Sequence, residues 1–263
     1  TAGMGYTRAD RLALLDLIGD LVRGVVGRYA RLAADGRIEL SSTPHHHPLA
    51  PLLIDFGAAR EAVPVAHLPQ WHGYPGGIGR VQFHIQSALE SHARRFGARP
   101  AGIWPAEGGI SAVLLKLLAQ TGCRWTASGE GVLANSLRSA GGDMAAREQA
   151  LHRPYRIDGE DITVFFRDDR LSDRIGFDYT KWHSRDAALN FVGELERIAA
   201  QAGDADTPLV SVILDGENCW EHYAEDGRTF LESLYGALDA ANDIRTRTPS
   251  EVLADRPSPG RLE

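Results

Sequence analysis

An α/β fold built on parallel strands is what this sequence predicts, and three observations predict it. Short apolar runs alternate with longer stretches of helical period, the pattern of βαβ units. Two of those runs end abruptly in polar and aromatic residues. Val210-Ser211-Val212-Ile213-Leu214 leads into Asp215-Gly216-Glu217-Asn218-Cys219-Trp220-Glu221-His222, and Ala101-Gly102-Ile103 leads into Trp104-Pro105-Ala106-Glu107. Parallel α/β sheets and barrels carry their chemistry at that end of their strands. Third, no Gly-x-Gly-x-x-Gly follows a strand, so dinucleotide binding has little support. Polar residues at the strand ends are what a barrel carries, and an open doubly wound sheet is the alternative.

The elements follow in order. Residues 9–32 form a long helical pattern rich in Leu, Val and Ala. Residues 38–42 read as a strand and 48–56 as a short helix. Residues 63–79 hold Pro64, Pro69 and Pro75 among Gly and His, which suits an active-site loop or lid. Residues 81–96 read as a helix ended by Gly97 and Pro100. A strand from Ile103 hands over at Glu107 to a helix with Ile110, Val113, Leu114, Leu117 and Leu118 at helical spacing. Residues 124–128 read as a strand, and 129–149 show no clear period. Residues 153–157 and 162–167 form a hairpin around Asp158-Gly159. Residues 186–202 and 229–242 are helical, 209–215 and 244–248 are strands, and Pro249 opens a last helical turn. The count is five or six barrel strands in one domain, 1–263.

The chain has 263 residues, 43% of them hydrophobic, enough for one sizeable core. No apolar run approaches the roughly 20 residues that span a bilayer, so no membrane partner is expected. A net charge of −7 argues against a nucleic-acid partner. The two cysteines, Cys123 and Cys219, give neither a metal spacing nor a disulfide framework. A reducing, cytoplasmic setting is the default reading. Thr1 does not look like a native start.

Two carboxylates at two strand ends suit cleavage of an acetal. One protonates the leaving oxygen and the other meets the developing positive charge on the anomeric carbon. Read alone, Glu107 serves equally well as a first-turn helix carboxylate, stabilised by the helix dipole. Asp215 alone could belong to a solvated acidic turn. Their pairing favours a site. Glu217 rivals Asp215 for the acid role, or orients Trp220 or Asn218. Flat aromatic side chains bury the apolar faces of sugar rings, which makes Trp71, Trp104 and Trp220 candidate platforms; a place in the core is the competing reading for each. His222 closes the second strand end. Arg167 and Asp168 belong to a charge-dense strand exit with Asp169, Arg170, Asp173 and Arg174. Such runs are usually solvated, but the apolar Val164-Phe165-Phe166 before them would let Arg167 or Asp168 reach a cleft. In His45-His46-His47, adjacent histidines diverge on any regular backbone, so no metal site is expected there.

These segments resemble glycoside hydrolase family 57. Trp104-Pro105-Ala106-Glu107 looks like the family's third signature and Leu214-Asp215-Gly216-Glu217-Asn218-x-Trp220 like its fourth. Gly36-Arg37-Ile38-Glu39-Leu40 with His47-Pro48 resembles the second, a substrate-contacting strand end. The 166–173 stretch is similar to the family as well. The resemblance implies an incomplete (β/α)7 barrel, Glu107 as nucleophile, Asp215 as acid/base, and Glu39 and His47 as neighbouring substrate contacts. The first and fifth signatures are not found, which leads us to expect a chain cut at both ends, poorly active and prone to associate through unpaired edges.

The resulting expectation is a retaining glycosidase or transglycosidase acting on an α-glucan, with no cofactor and no metal. Two other classes stay open. One is a metal-dependent carbohydrate deacetylase on a related barrel, using the histidines with Asp55 or Asp168. The other is a non-catalytic carbohydrate-binding fragment. The sequence leaves oligomeric state and sugar linkage open.

Overall fold

The computed structural model describes residues 3–141, 150–202, 207–216, 220–255 and 260–262. Helix α1 (Arg8–Ala34) opens the chain. Thr7 caps it reciprocally with Asp10: each side chain satisfies the other's backbone N–H. Helices α2 (Ala50–Ile54), α3 (Ala59–Ala62) and α4 (Gly77–Phe96) follow, with irregular backbone between α3 and α4. Strand β1 (Gly102–Ile103), α5 (Ala112–Gln120), β2 (Trp125–Gly129) and α6 (Glu130–Ser139) come next. Then come β3 (Tyr155–Ile157), β4 (Thr163–Arg167) and α7 (Asp169–Asp173). The chain continues through α8 (Ser184–Ala202), α9 (Arg228–Ala240), α10 (Pro249–Asp255) and β5 (Gly260–Leu262).

The strands form one mixed sheet in the order β1-β2-β4-β3-β5. β1, β2 and β4 run parallel, with Gly102 opposite Trp125 and Trp125 opposite Thr163. β3 pairs antiparallel with β4 around the expected hairpin, where Gly159 takes the left-handed conformation (φ 81°). Two further segments extend the parallel set by single bridges, Ser42 to Ile103 and Arg167 to Ser211.

Alternation along these strands separates two faces. Ile103, Val164 and Phe166 pack under α4, α5 and α6 with Val81, Ile85, Leu114, Leu118 and Leu133. Trp125, Ala127 and Phe165 point the other way and meet Val252 of α10. Residues 209–214 obey the same rule. Val210, Val212 and Leu214 pack with α8 and α9, whereas Leu209 and Ile213 join the Trp125 cluster. Gly102 is required by this packing: a Cβ there would lie 1.9 Å from the Trp125 indole.

Several elements depart from the sequence expectation. Residues 38–42 and 209–215 are not full strands. β1 is short because Pro100 and Pro105 flank it and donate no hydrogen bond, which leaves its neighbour one bridge. Beyond Ser211 the partner is no longer a strand. Ile213 N–H donates to Ser172 Oγ, and Leu209 N–H donates to the His152 carbonyl. Residues 244–248 are not a strand either; Thr248 and Glu251 cap the start of α10 instead. Residues 130–139, where no period was expected, are helical because Leu133 and Leu137 pack together on the core. β5 was not anticipated. No described helix is long and apolar enough to cross a membrane.

Candidate active site

The parallel strands end on one edge, and the chain beyond each carries the candidate residues. After Ser42 come Thr43 to His47; after β1, Trp104 to Glu107; after Ser211, Asp215. Glu107 sits in a short 3₁₀ turn, Ala106–Gly108, with φ 55° and ψ 21°. A left-handed glutamate costs about 1–2 kcal/mol, and such strain persists only where the surroundings fix it. Here they do. Gly108 N–H donates to the Pro105 carbonyl at 3.0 Å, and the buried Ser128 hydroxyl donates to the Gly108 carbonyl at 2.7 Å. Ser128 was not singled out from sequence. Its signal was a small hydroxyl residue inside a strand that is otherwise buried.

His47 is the partner of Glu107. Its Nε2 lies 3.5 Å from Glu107 Oε1, and its Nδ1 lies 3.3 Å from the Thr43 hydroxyl. In the tautomer in which Nδ1 accepts from the Thr43 hydroxyl, the proton on Nε2 faces the carboxylate. His46 and His47 both have positive φ, 63° and 51°, so this loop as well as the Glu107 turn is held in an uncommon conformation. Both side chains of the pair reach water. An open cavity of about 410 Å³ lies beside His47, walled by His45, His46, His92, Arg95 and Phe96. Among the described residues no group of three or more His, Cys, Asp or Glu is arranged to hold a metal ion.

Asp215 is exposed at the end of the 209–215 segment, where strand alternation continues the face of Leu209 and Ile213. Arg167 fixes that segment: its Nε donates to the Ile213 carbonyl at 2.9 Å, and its other nitrogens bind Asp169 and Asp173. Trp104 is half-buried and packs against the Trp125 cluster. Trp71, 80% exposed, stands out in the 63–76 segment. Trp220 opens a 3₁₀ turn and packs on Tyr223 and Phe230, with ring centroids 5.6 and 6.4 Å away. Gly227 (φ 79°) makes room for it, since a Cβ there would lie 2.6 Å from the indole. His222 is exposed and 3.5 Å from Glu221. Glu217 lies outside the described residues.

Two candidates are turned to other tasks. Glu39 precedes the Ser42 bridge, toward the strand starts. Both its oxygens are taken, one by Trp125 Nε1 (2.8 Å) and Ser250 Oγ (2.7 Å), the other by Ser250 N–H (2.9 Å). It ties β2 to α10 instead of standing beside His47. Asp168 is the N-cap of α7, its side chain 4% exposed. It accepts from Leu171 N–H at 2.8 Å and from His152 Nε2 at 3.1 Å. Burial pushes its carboxyl up, but the His152 and Leu171 hydrogen bonds and the nearby charges of His152 and Arg170 outweigh that and hold it below its ordinary value. The helix N-terminus claims Asp168 before a cleft can.

The chain is similar to known proteins in family and fold. The model of glycosyl hydrolase family 57 matches residues 18–262. No curated protein matches the chain. Among solved structures, an α-amylase from Thermotoga maritima aligns at TM-score 0.68 and 16% identity, over 97% of this chain and 56% of that one. A branching enzyme from Thermococcus kodakaraensis aligns at 0.68 and 17%, over 95% and 53%. A 4-α-glucanotransferase from Thermococcus litoralis aligns at 0.62 and 20%, over 95% and 33%. This chain thus spans about half or less of their lengths. The likeness bears out the α/β class and the incomplete barrel.

Proposed function

The chain belongs to glycosyl hydrolase family 57, and from that premise we propose that it carries the catalytic carboxylates of a retaining enzyme that hydrolyses or transfers α-glucan chains. Glu107 is the nucleophile and Asp215 the acid/base. One observation supports the pair above all. Trp104, just before Glu107, and Ile213, just before Asp215, pack against the same cluster of Trp125, Ala127, Phe165 and Val252. Along a flat sheet, the three strand steps from β1 to the 209–215 segment would separate their ends by roughly 14 Å. Retention needs carboxylates about 5–5.5 Å apart. The shared cluster sets both strand ends on one face of the sheet, and curling of that face inward would bring the two carboxylates to such a separation.

In this reading Asp215 gives its proton to the glycosidic oxygen as Glu107 attacks the anomeric carbon. The bond to the leaving sugar breaks, and an ester to Glu107 forms. Asp215 then takes a proton from water, or from a sugar hydroxyl, whose oxygen displaces Glu107. The first outcome is hydrolysis and the second is transfer. His47 steadies Oε1 of Glu107, and Arg167 holds the strand that presents Asp215. The cavity beside His47 receives a sugar unit. Trp104 and the exposed Trp71 offer flat faces, and Trp220, His222 and Glu217 flank the acid. The α-glucan class rests on the amylase, branching and glucanotransferase activities named for the related structures.

Asp215→Ala tests the assignment. Turnover of natural α-glucans should collapse. Substrates whose leaving group needs no proton should still react slowly, and azide should accelerate them to a glycosyl azide of retained configuration. The same behaviour in Glu217→Ala, and not in Asp215→Ala, would transfer the acid/base role to Glu217.

A further inference from the structure

The turn that carries Glu107 hangs from side chains of β2, because its own strand gives out before it. β1 and β2 pair at only two positions, Gly102 with Trp125 and Ile103 with Thr126. Two residues on, Pro105 has no N–H to offer a ladder. The 104–108 segment therefore leaves the β2 backbone just before the carboxylate. On its other side Trp104 N–H still donates to the Ser42 carbonyl at 2.8 Å. β2 itself continues, paired with β4 as far as Gly129 opposite Arg167.

Two hydroxyls of β2 replace the missing rungs. Thr126 Oγ1 donates to the Ile103 carbonyl and Ser128 Oγ to the Gly108 carbonyl, each at 2.7 Å. They sit two residues apart and so on one face of the strand. Their cross-strand neighbours on that face are Val164 and Phe166 of the apolar core. Both residues are 0% exposed. A hydroxyl in such a place is costly unless it is bonded, and both bonds go to the ends of the stretch that contains Glu107. Gly108 lets the turn sit close: a Cβ there would lie 3.0 Å from the Trp104 indole and 3.6 Å from Ser128 Cα. Ala106 and Gly108 are buried, while the Glu107 side chain between them is 76% exposed. The backbone is held and the carboxylate reaches out.

We propose that Thr126 and Ser128 are positioning residues for the nucleophile, and the proposal rests on Glu107 having that role. They act through the backbone of 103–108, by holding Glu107 at its left-handed φ of 55°. A displacement of about 1 Å at a reacting group can cost about a hundredfold in rate. Loss of either hydroxyl therefore slows attack on the anomeric carbon and leaves sugar binding as it was.

Labelling of the full chain by a fluorinated glucosyl fluoride separates these effects. Ser128→Ala and Thr126→Val each remove one hydroxyl at nearly constant volume. Each should lower the limiting rate of label uptake at Glu107 by roughly ten- to a hundredfold, with the half-saturating concentration unchanged. Thr126→Ser keeps the hydroxyl and should restore the rate lost in Thr126→Val. A second readout needs no turnover. In the wild type, a turn freed by Ser128→Ala relaxes away from positive φ and recovers part of its strain; in Glu107→Gly there is no such strain to recover. Ser128→Ala should therefore lower the urea midpoint more in the Glu107→Gly background than in the wild type. Label on Glu107 at one rate in wild type, Ser128→Ala and Thr126→Val would overturn this inference alone. So would an equal or smaller midpoint loss in the Glu107→Gly background. No label on Glu107 of the wild type would overturn the nucleophile assignment and this inference with it.

Discussion

Replacing Asp168 separates a carboxylate that holds the fold from one that holds a sugar. In the structure it caps α7 and binds His152 from a position only 4% exposed. Losing an N-cap costs about 0.5–2 kcal/mol. Losing a hydrogen bond that involves a charged group costs about 1.5–3 kcal/mol. Both belong to one carboxylate and overlap, so Asp168→Ala should cost about 2–4 kcal/mol. A loss of about 3 kcal/mol lowers the melting midpoint of a chain this size by roughly 6–12 °C. Asp168→Asn keeps a capping oxygen and should lose about half as much. The pH dependence has a definite sign. The folded carboxyl titrates below its unfolded value. Its contribution is therefore full above the unfolded value of about 3.9 and lost as pH falls through the lower folded value. The difference between wild type and Asp168→Ala should shrink in that acid window. Urea unfolding of both proteins across pH measures this. A stability change under about 0.5 kcal/mol together with a raised KM for α-glucan would refute the capping role and restore Asp168 to the sugar site.

Two further substitutions read the backbone. Glu107→Gly relieves a left-handed φ of 55° and should stabilise the chain by about 0.5–1 kcal/mol in urea unfolding while removing catalysis; Glu107→Gln should remove catalysis with no such gain. Gly102→Ala puts a methyl 1.9 Å from the Trp125 ring and should cost about 1–3 kcal/mol in the same assay; an unchanged midpoint would show that Trp125 moves freely.

The sequence made some features plain and hid others, for physical reasons. The hairpin at Asp158-Gly159 and the strand exit at Glu107 were legible because turn chemistry and an abrupt change from apolar to polar are local signals. The 209–215 segment had the right period, and its two faces pack as that period requires. It lacks a ladder because α7 begins where β4 stops, a fact of the neighbouring chain and not of the segment. Glu39 and Asp168 were misplaced for one shared reason. A carboxylate in a charged or polar run looks available until its partner is known, and the partners, Trp125 with Ser250 and Leu171 with His152, were not evident from the motif. The contact of His47 with Glu107 depends on two loops of positive φ, which no periodicity reveals. Ser128, which holds the Glu107 turn, is a single hydroxyl in a buried strand and carries no motif of its own.

The carboxylate assignment is most directly tested by trapping the intermediate. Incubating the protein with a fluorinated glucosyl fluoride, which forms a glycosyl-enzyme faster than water releases it, should add one sugar to the chain. Peptide mass spectrometry should then place that sugar on Glu107. A sugar on Asp215, on Glu217 or on any other residue would contradict the account.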